Sequence, residues 1–218
     1  MRNYCNYDIE ERLQKKNYMH ICGIDEVGRG AIFGPVVAGA VILDPGRLNY
    51  EINDSKKLDH HKRVELSEYI YENAPAYSIG WCWNDEIDEC NILEATKKAI
   101  KMAVKGLQIS PGYVLLDGMK PDFIGIAGEG IIKGDSQSLS IAAASIIAKV
   151  FRDQLLISFS QFYPDYSFQK NKGYATREHV QAVSMKGLTE FHRKSFDISG
   201  AWKYDEGAAE LGDEMMGM

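Results

Sequence analysis

His20-Ile21-Cys22-Gly23-Ile24-Asp25-Glu26-Val27-Gly28-Arg29-Gly30 runs from an apolar stretch straight into two adjacent carboxylates and then a Gly-Arg-Gly turn. Ile21–Val27 reads as a buried strand. Such a strand does not end in two negative charges unless something positive meets them. Nothing basic precedes them locally, so a bound metal ion is the natural partner. The turn then sets bare backbone N–H groups and one guanidinium beside that metal, as a phosphate or a sugar hydroxyl requires. Together these features point to phosphodiester chemistry.

Moving outward, residues 34–43 read as a second strand, closed by the turn Asp44-Pro45-Gly46. The short glycine-rich link predicts that the two strands pair antiparallel. A polar loop, Asn53-Asp54-Ser55-Lys56-Lys57-Leu58, precedes a helix over 59–73 with Asp59 as its potential cap. Residues 76–83 are strand-like. A helix capped by Asn84 or Asp85 runs to about Leu107, with Ile87, Ile92, Leu93, Thr96, Ile100, Val104 and Leu107 near one face. Tyr113-Val114-Leu115-Leu116 is a short buried strand ending at Asp117, and Gly130-Ile131-Ile132 forms another. Residues 138–160 form a long helix whose Ala142-Ala143-Ala144 run allows close packing, and a further helix covers 176–185. A lead-in over 1–19 contains a helix near 7–15. The alternation of strands and helices predicts an α/β layered domain.

The chain has 218 residues and 45% hydrophobic content, enough for one domain with a proper core. No uncharged apolar run approaches ~18 residues, so no membrane span is expected. The N-terminus lacks the apolar core of a signal peptide. Cys5, Cys22, Cys82 and Cys90 have no metal-ligand spacing and read as reduced thiols, so a cytoplasmic protein is expected. The net charge of −6 argues against a nucleic-acid binder, yet its distribution softens the objection. Residues 205–218 carry five carboxylates and no Lys or Arg and read as a disordered tail, whereas residues 168–203 carry seven Lys and Arg against three Asp and Glu. A local basic face competes there with an ordinary solvated helix.

Two strands end in carboxylates, Asp25-Glu26 and Asp117, and adjacent strand ends are where α/β sheets place ligands. Asp135 lies between Gly134 and the long helix, so four acidic groups converge. Oxygen-only ligands select hard cations, Mg2+ or Mn2+ rather than Zn2+. Two such ions about 3.5–4 Å apart would clamp the two oxygens of a phosphoryl displacement. Neighbouring strand residues point to opposite faces, so Asp25 and Glu26 both reach metal only if the strand distorts or Glu26 comes round from its end. Gly28 and Gly30 make that distortion cheap. The spacing Gly28-x-Gly30-x-x-x-Gly34 departs from the dinucleotide fingerprint, and no phosphate loop of the Gly-x-x-x-x-Gly-Lys-Ser/Thr type is present, which disfavours a simple nucleotide-binding module.

The blocks Gly23-Ile24-Asp25-Glu26-Val27-Gly28-Arg29-Gly30 with Gly34-Pro35-Val36-Val37, Asn53–Leu58, Leu116-Asp117-Gly118, Lys133-Gly134-Asp135-Ser136 with Ala143–Asp153, Lys172-Gly173-Tyr174, and His192–Phe196 resemble, in order, those of bacterial type 2 ribonuclease H, ribonuclease HII. Ala31 and Ala142 depart from the residues common there. The resemblance implies an α/β, ribonuclease H-like mixed sheet flanked by helices. It also implies one catalytic domain over 1–204 whose helical C-terminal part is at about 160–204. It implies that Asp25, Glu26, Asp117 and Asp135 are catalytic and hold Mn2+ or Mg2+. Gly28, Arg29 and Gly30 would read the ribose 2′-hydroxyl, and Tyr174 would stack on the next sugar. Only the 2′-hydroxyl separates RNA from DNA at one position. The implied substrates are RNA–DNA hybrids and duplex DNA containing ribonucleotides, cut 5′ of the ribonucleotide. No obligate protein partner is implied, and a monomer is expected. Asn53 and Lys57 in the second block are candidate substrate contacts. Ser145 and Lys149, four apart on one helix face, are candidates to hold a phosphate. Trp81 and Trp83 read as packing, and His192 is a candidate general acid.

Overall fold

The computed structural model describes residues 5–197, so the acidic tail and the end of the expected C-terminal part lie outside the described residues. Five strands, β1 (Ile21–Val27), β2 (Val36–Ile42), β3 (Ala76–Cys82), β4 (Tyr113–Asp117) and β5 (Gly128–Ile131), form one sheet in the order β3-β2-β1-β4-β5. β1 pairs antiparallel with β2, as the short link between them predicts, and parallel with β4. β2–β3 is antiparallel and β4–β5 parallel, so the sheet is mixed.

Helices cover both faces. They are α1 (Asp8–Gln14), α2 (His60–Asn73), α3 (Asn84–Lys105), α4 (Leu139–Phe159), α5 (Phe168–Asn171) and α6 (Arg177–Lys186). α3 lies across β2 and β3, and its Ile87, Ala95, Ala99, Ile100 and Ala103 join Cys22, Ile24, Val36, Ala38 and Leu116 in one core. On the other face α4 crosses β1 and β2, and α2 packs against α4. Ala142, Ala143, Ala144, Ile146 and Ile147 meet Val41 and the α2 residues Leu66 and Ile70 there. The approach is very close at Gly23, where a Cβ would sit 2.0 Å from the Ser140 carbonyl carbon. The small residues of the strand and of the alanine run therefore bring α4 directly onto β1.

The cap acts as expected at Asp59, which accepts from Lys62 N at 2.8 Å, and Ser138 and Thr176 cap α4 and α6 in the same way. α3 differs. Its N-cap position is Trp83, while Asn84 turns its amide to the Glu190 and His192 carbonyls. Asn91 breaks the helix with φ 71° and ψ 162°, which shifts the phase of the apolar stripe and leaves Leu93 exposed. Ile132 likewise falls beyond β5 and is exposed. Among the described residues no helix is long and apolar enough to cross a membrane.

Candidate active site

The alternation of β1 decides which carboxylate enters the site. Cys22 and Ile24 face α3, whereas Gly23 faces the α4 backbone. Asp25 follows Gly23 onto the α4 side by the two-residue period. β4 runs parallel to β1 with Ile24 opposite Leu116, so Asp25 and Asp117 stand side by side at neighbouring strand ends. Asp135 comes from a third element, the 3-10 turn Gly134–Ser136 that leads into α4. Asp117 fixes that turn by accepting the Gly134 N–H at 2.6 Å. Asp25, Asp117 and Asp135 each offer an oxygen within 4.8 Å of the others.

Glu26 stands apart from this trio. Its Oε1 accepts from Arg29 Nη1 at 3.1 Å, and its Oε2 is buried without a partner. β1 keeps its regular pairing through both residues, Asp25 with Gly39 and Glu26 with Ala38, so of the two routes the sequence left open the strand distortion is not taken. Glu26 reaches the site only around the strand end, near enough for Asp117 to disfavour its ionisation.

The electrostatics match a cation site. Burial pushes the Asp25 carboxyl well above the usual carboxylate range, with Glu26 and Asp117 adding like-charge repulsion. Burial likewise raises Glu26 and Asp117, with opposing hydrogen bonds from Arg29 and Gly134 N respectively. Lys56 meets Asp135 at 3.4 Å with its own side chain largely exposed. An oxygen-only set of converging buried and half-buried carboxylates, with an orphaned Glu26 oxygen beside it, fits hard divalent cations. Asp25, Asp117 and Asp135 would hold them, with Glu26 completing the set.

This has a thermodynamic consequence. Carboxyls whose folded pKa is raised stabilise the fold below their unfolded pKa, about 4, and lose that contribution as pH rises through the folded value. In a chelator, Tm is therefore expected to fall as pH rises above that range, and saturating Mn2+ should flatten the slope. Melting curves with EDTA and with Mn2+ check this; a chelated protein that gains stability with pH in that window would contradict it.

The remaining candidates divide. Ser145 bonds to Ser55 Oγ at 2.9 Å and hydrogen-bonds Asp25, so it positions a carboxylate. Lys149, expected beside it on a phosphate, is instead paired with Asp153 at 2.6 Å. Asn53 turns its Oδ1 to the Asp54 N–H, and Lys57 lies 3.9 Å from Asp54. Its neighbour Lys56 is the lysine that faces the cluster.

Gly28-Arg29-Gly30 forms a strap whose supports the sequence did not reveal. Gly28 has φ +88°, and a Cβ there would sit 2.2 Å from Arg152 Nε. Arg152, fully buried, donates to the Pro35, Phe33 and Lys172 carbonyls at 3.0, 3.1 and 2.8 Å. Arg193, also buried, donates to the Gly34 and Arg29 carbonyls at 3.0 and 2.9 Å. Tyr174 closes the strap from the other side. Its backbone bridges Ala31, Gly173 O accepts from Ile32 N, and its ring lies 5.4 Å from the Arg152 guanidinium. The residues proposed to read two successive sugars are thus joined through Arg152.

His192 is not placed for acid catalysis. Thr189 N donates to its Nδ1, so its Nε2–H points to His179 Nε2 at 3.1 Å, and His179 Nδ1–H donates to Tyr174 O. Both rings are buried and neutral, His192 being held down to about 4 by burial and by His179. The relay supports the Tyr174 backbone. Trp83 packs against Phe159 and Phe191, as expected of a packing residue, whereas Trp81 stacks on Phe151 but remains exposed on the edge strand β3.

Residues 22–199 match the ribonuclease HII family model. The chain belongs to the ribonuclease HII family. The ribonuclease HII of Desulfitobacterium hafniense (strain DSM 10664 / DCB-2) is 49% identical over 188 residues, which covers 86% of this chain and 72% of the relative. The crystal structure of ribonuclease H2 from Pyrococcus horikoshii OT3 superposes with a TM-score of 0.69 at 25% identity, covering 84% of this chain and 96% of that one. A Bst-RNase HIII crystal structure in complex with Mn2+ shares the fold, with a TM-score of 0.61 at 20% identity over 83% of this chain and 68% of that one. As a member of that family, the chain is a divalent-metal-dependent endonuclease acting on RNA–DNA hybrids.

Proposed function

We propose that the chain also cuts on the 5′ side of single ribonucleotides embedded in duplex DNA, leaving 3′-hydroxyl and 5′-phosphate ends. The reading assigns catalysis to Asp25, Glu26, Asp117 and Asp135 with two Mn2+ or Mg2+ ions. The observation that carries it is the convergence of three carboxylates, Asp25 and Asp135 buried and Asp117 half-buried, from β1, β4 and the turn before α4, with β1 leading into the Gly28–Gly30 strap. Bound divalent ions supply the positive charge that stabilises the attacking and leaving oxygens of a phosphodiester.

The chain's own residues do the rest. The exposed backbone at Gly30 offers its N–H side to the ribose 2′-hydroxyl, which deoxyribose lacks. Arg29 lies with its guanidinium half exposed next to Glu26, within reach of both the carboxylates and an incoming phosphate. Tyr174, held by Arg152 and the histidine relay, packs on the sugar that follows. Lys56, Lys57 and Asn53 contact the phosphate backbone from the loop before α2, and Ser145 holds Asp25 in place. Lys149 would serve a phosphate only by leaving Asp153. The chain acts as a cytoplasmic monomer with no obligate protein partner.

The test is a duplex with one embedded ribonucleotide, in Mg2+ and in Mn2+. A single cut on its 5′ side is expected, with an all-DNA duplex left intact. Cleavage of the all-DNA duplex while the embedded ribonucleotide survives would overturn the assignment.

A further inference from the structure

Residues 5–14 precede the span matched by the family, yet they are built into the frame of the site. Asn6 makes a parallel bridge with Ser138, its carbonyl accepts the Leu139 N–H at 2.9 Å, and its own N–H reaches the Gln137 carbonyl. This joins the N-terminal segment to the turn that carries Asp135. Glu10, on the inner face of α1, is fully buried. Its Oε1 accepts from Ser138 Oγ at 2.6 Å and from Ser140 N at 3.0 Å. Ser138 caps α4 by accepting from Ile141 N, and its own N–H bonds to Gly134 O at 2.8 Å. Gly134 in turn donates to Asp117. One carboxylate on α1 is thus linked, through Ser138 and Gly134, to the placement of Asp135 and Asp117 alike.

A buried carboxylate is costly unless it is tightly bonded. Merely filling a core position would need only an apolar side chain. Both bonds Glu10 makes go through Oε1 to the first turn of α4, while Oε2 is buried without a partner, so the cost of the carboxylate is borne for fixing the position and rotation of that turn.

We propose that Glu10 is a positioning residue for the carboxylate cluster. It clamps the 134–140 segment so that Asp135 stands at the spacing from Asp25 and Asp117 that a divalent ion needs. The proposal rests on the reading of those three residues as ligands. Partners that orient metal ligands are typically worth about 10–100-fold in metal affinity. Glu10 lies beneath the site and is fully buried, so the substrate surface is left alone.

The experiment is Mn2+ binding to the full chain, read from the electron paramagnetic resonance signal of free Mn2+, alongside steady-state cleavage of an RNA–DNA hybrid. Glu10→Ala is expected to weaken Mn2+ binding about tenfold, raise the half-activating Mn2+ concentration in step, and change KM for the hybrid less than about twofold. Glu10→Gln keeps an acceptor for Ser138 and Ser140 and should restore binding to within about twofold. Asp135→Asn serves as the reference. If it binds Mn2+ like wild type, the ligand assignment itself fails. If it loses binding while folded Glu10→Ala does not, only the role of Glu10 fails. Should Glu10→Ala not fold, Glu10→Asp, one methylene short of the same bonds, replaces it with the same expected loss. Failure of both to fold would overturn the proposal, because Glu10 would then be a requirement of the fold rather than of the site.

Discussion

Asp117→Asn is expected to lower hybrid cleavage by about 10³-fold or more, about 4 kcal/mol of barrier, while leaving the metal-free protein at least as stable as wild type. The two halves have one cause. Asp117 lies within 4.8 Å of Asp25 and Asp135 ligand atoms, and burial and like charges raise its pKa. In the metal-free protein its charge is therefore a liability, and an amide removes that repulsion. The bond from Gly134 N to Oδ1 survives, because the amide oxygen accepts as the carboxylate did. The turn carrying Asp135 should thus remain in place, and the loss falls on cation binding. Cleavage rates at saturating Mn2+, paired with melting curves in EDTA, separate the two effects. Near-wild-type turnover would remove Asp117 from the ligand set. A large drop in metal-free Tm would make it a structural residue instead.

The fold was legible wherever local pattern and tertiary demand agree. Ile21–Val27 is apolar, bounded and short, and the glycine-rich link after it allows little except an antiparallel return. Asp59, Ser138 and Thr176 mark helix starts because their side chains bond within the next turn, an interaction local to the sequence. Asn91 was illegible for the opposite reason, since both halves of α3 are good helix and a single left-handed residue resets their phase. In the site, Asp25 and Asp117 announce themselves as charges at the ends of buried runs. The side of the strand each takes also follows from the two-residue period, which predicts the separation of Asp25 from Glu26. The choice between Lys56 and Lys57 could not be read, because a loop has no such period. Arg152 and Arg193 were hidden more deeply. An arginine on a helix or in a basic segment reads as solvated, and here both serve backbone carbonyls contributed by distant parts of the chain. Glu10 was hidden in the same way, as one acidic residue among several in an amphipathic lead-in.

The Gly28–Gly30 strap lets structural and functional roles be pulled apart by two alanines. Gly28→Ala places a Cβ at φ +88° and 2.2 Å from Arg152 Nε. The left-handed backbone alone costs about 1 kcal/mol or more. Arg152 cannot swing aside cheaply, because it is fully buried and holds three carbonyls. A loss of about 2–4 kcal/mol is expected, read as a fall in Tm of about 5–10 °C. Cleavage should fall as well, since the same arginine supports Tyr174. Gly30→Ala is the contrasting case. A Cβ there meets nothing within 4 Å, and its backbone is free of the left-handed region. Its Tm should stay within about 1 °C of wild type. If the strap backbone approaches the ribose, the added methyl occupies the space the sugar needs. Cleavage at an embedded ribonucleotide should then fall about 10–100-fold with no change in fold. The outcome that would sink the assignment is a Gly30→Ala protein with wild-type stability and wild-type cleavage of that duplex. The sugar would then be read elsewhere, and the bare backbone at Gly30 would be an exposed turn and nothing more.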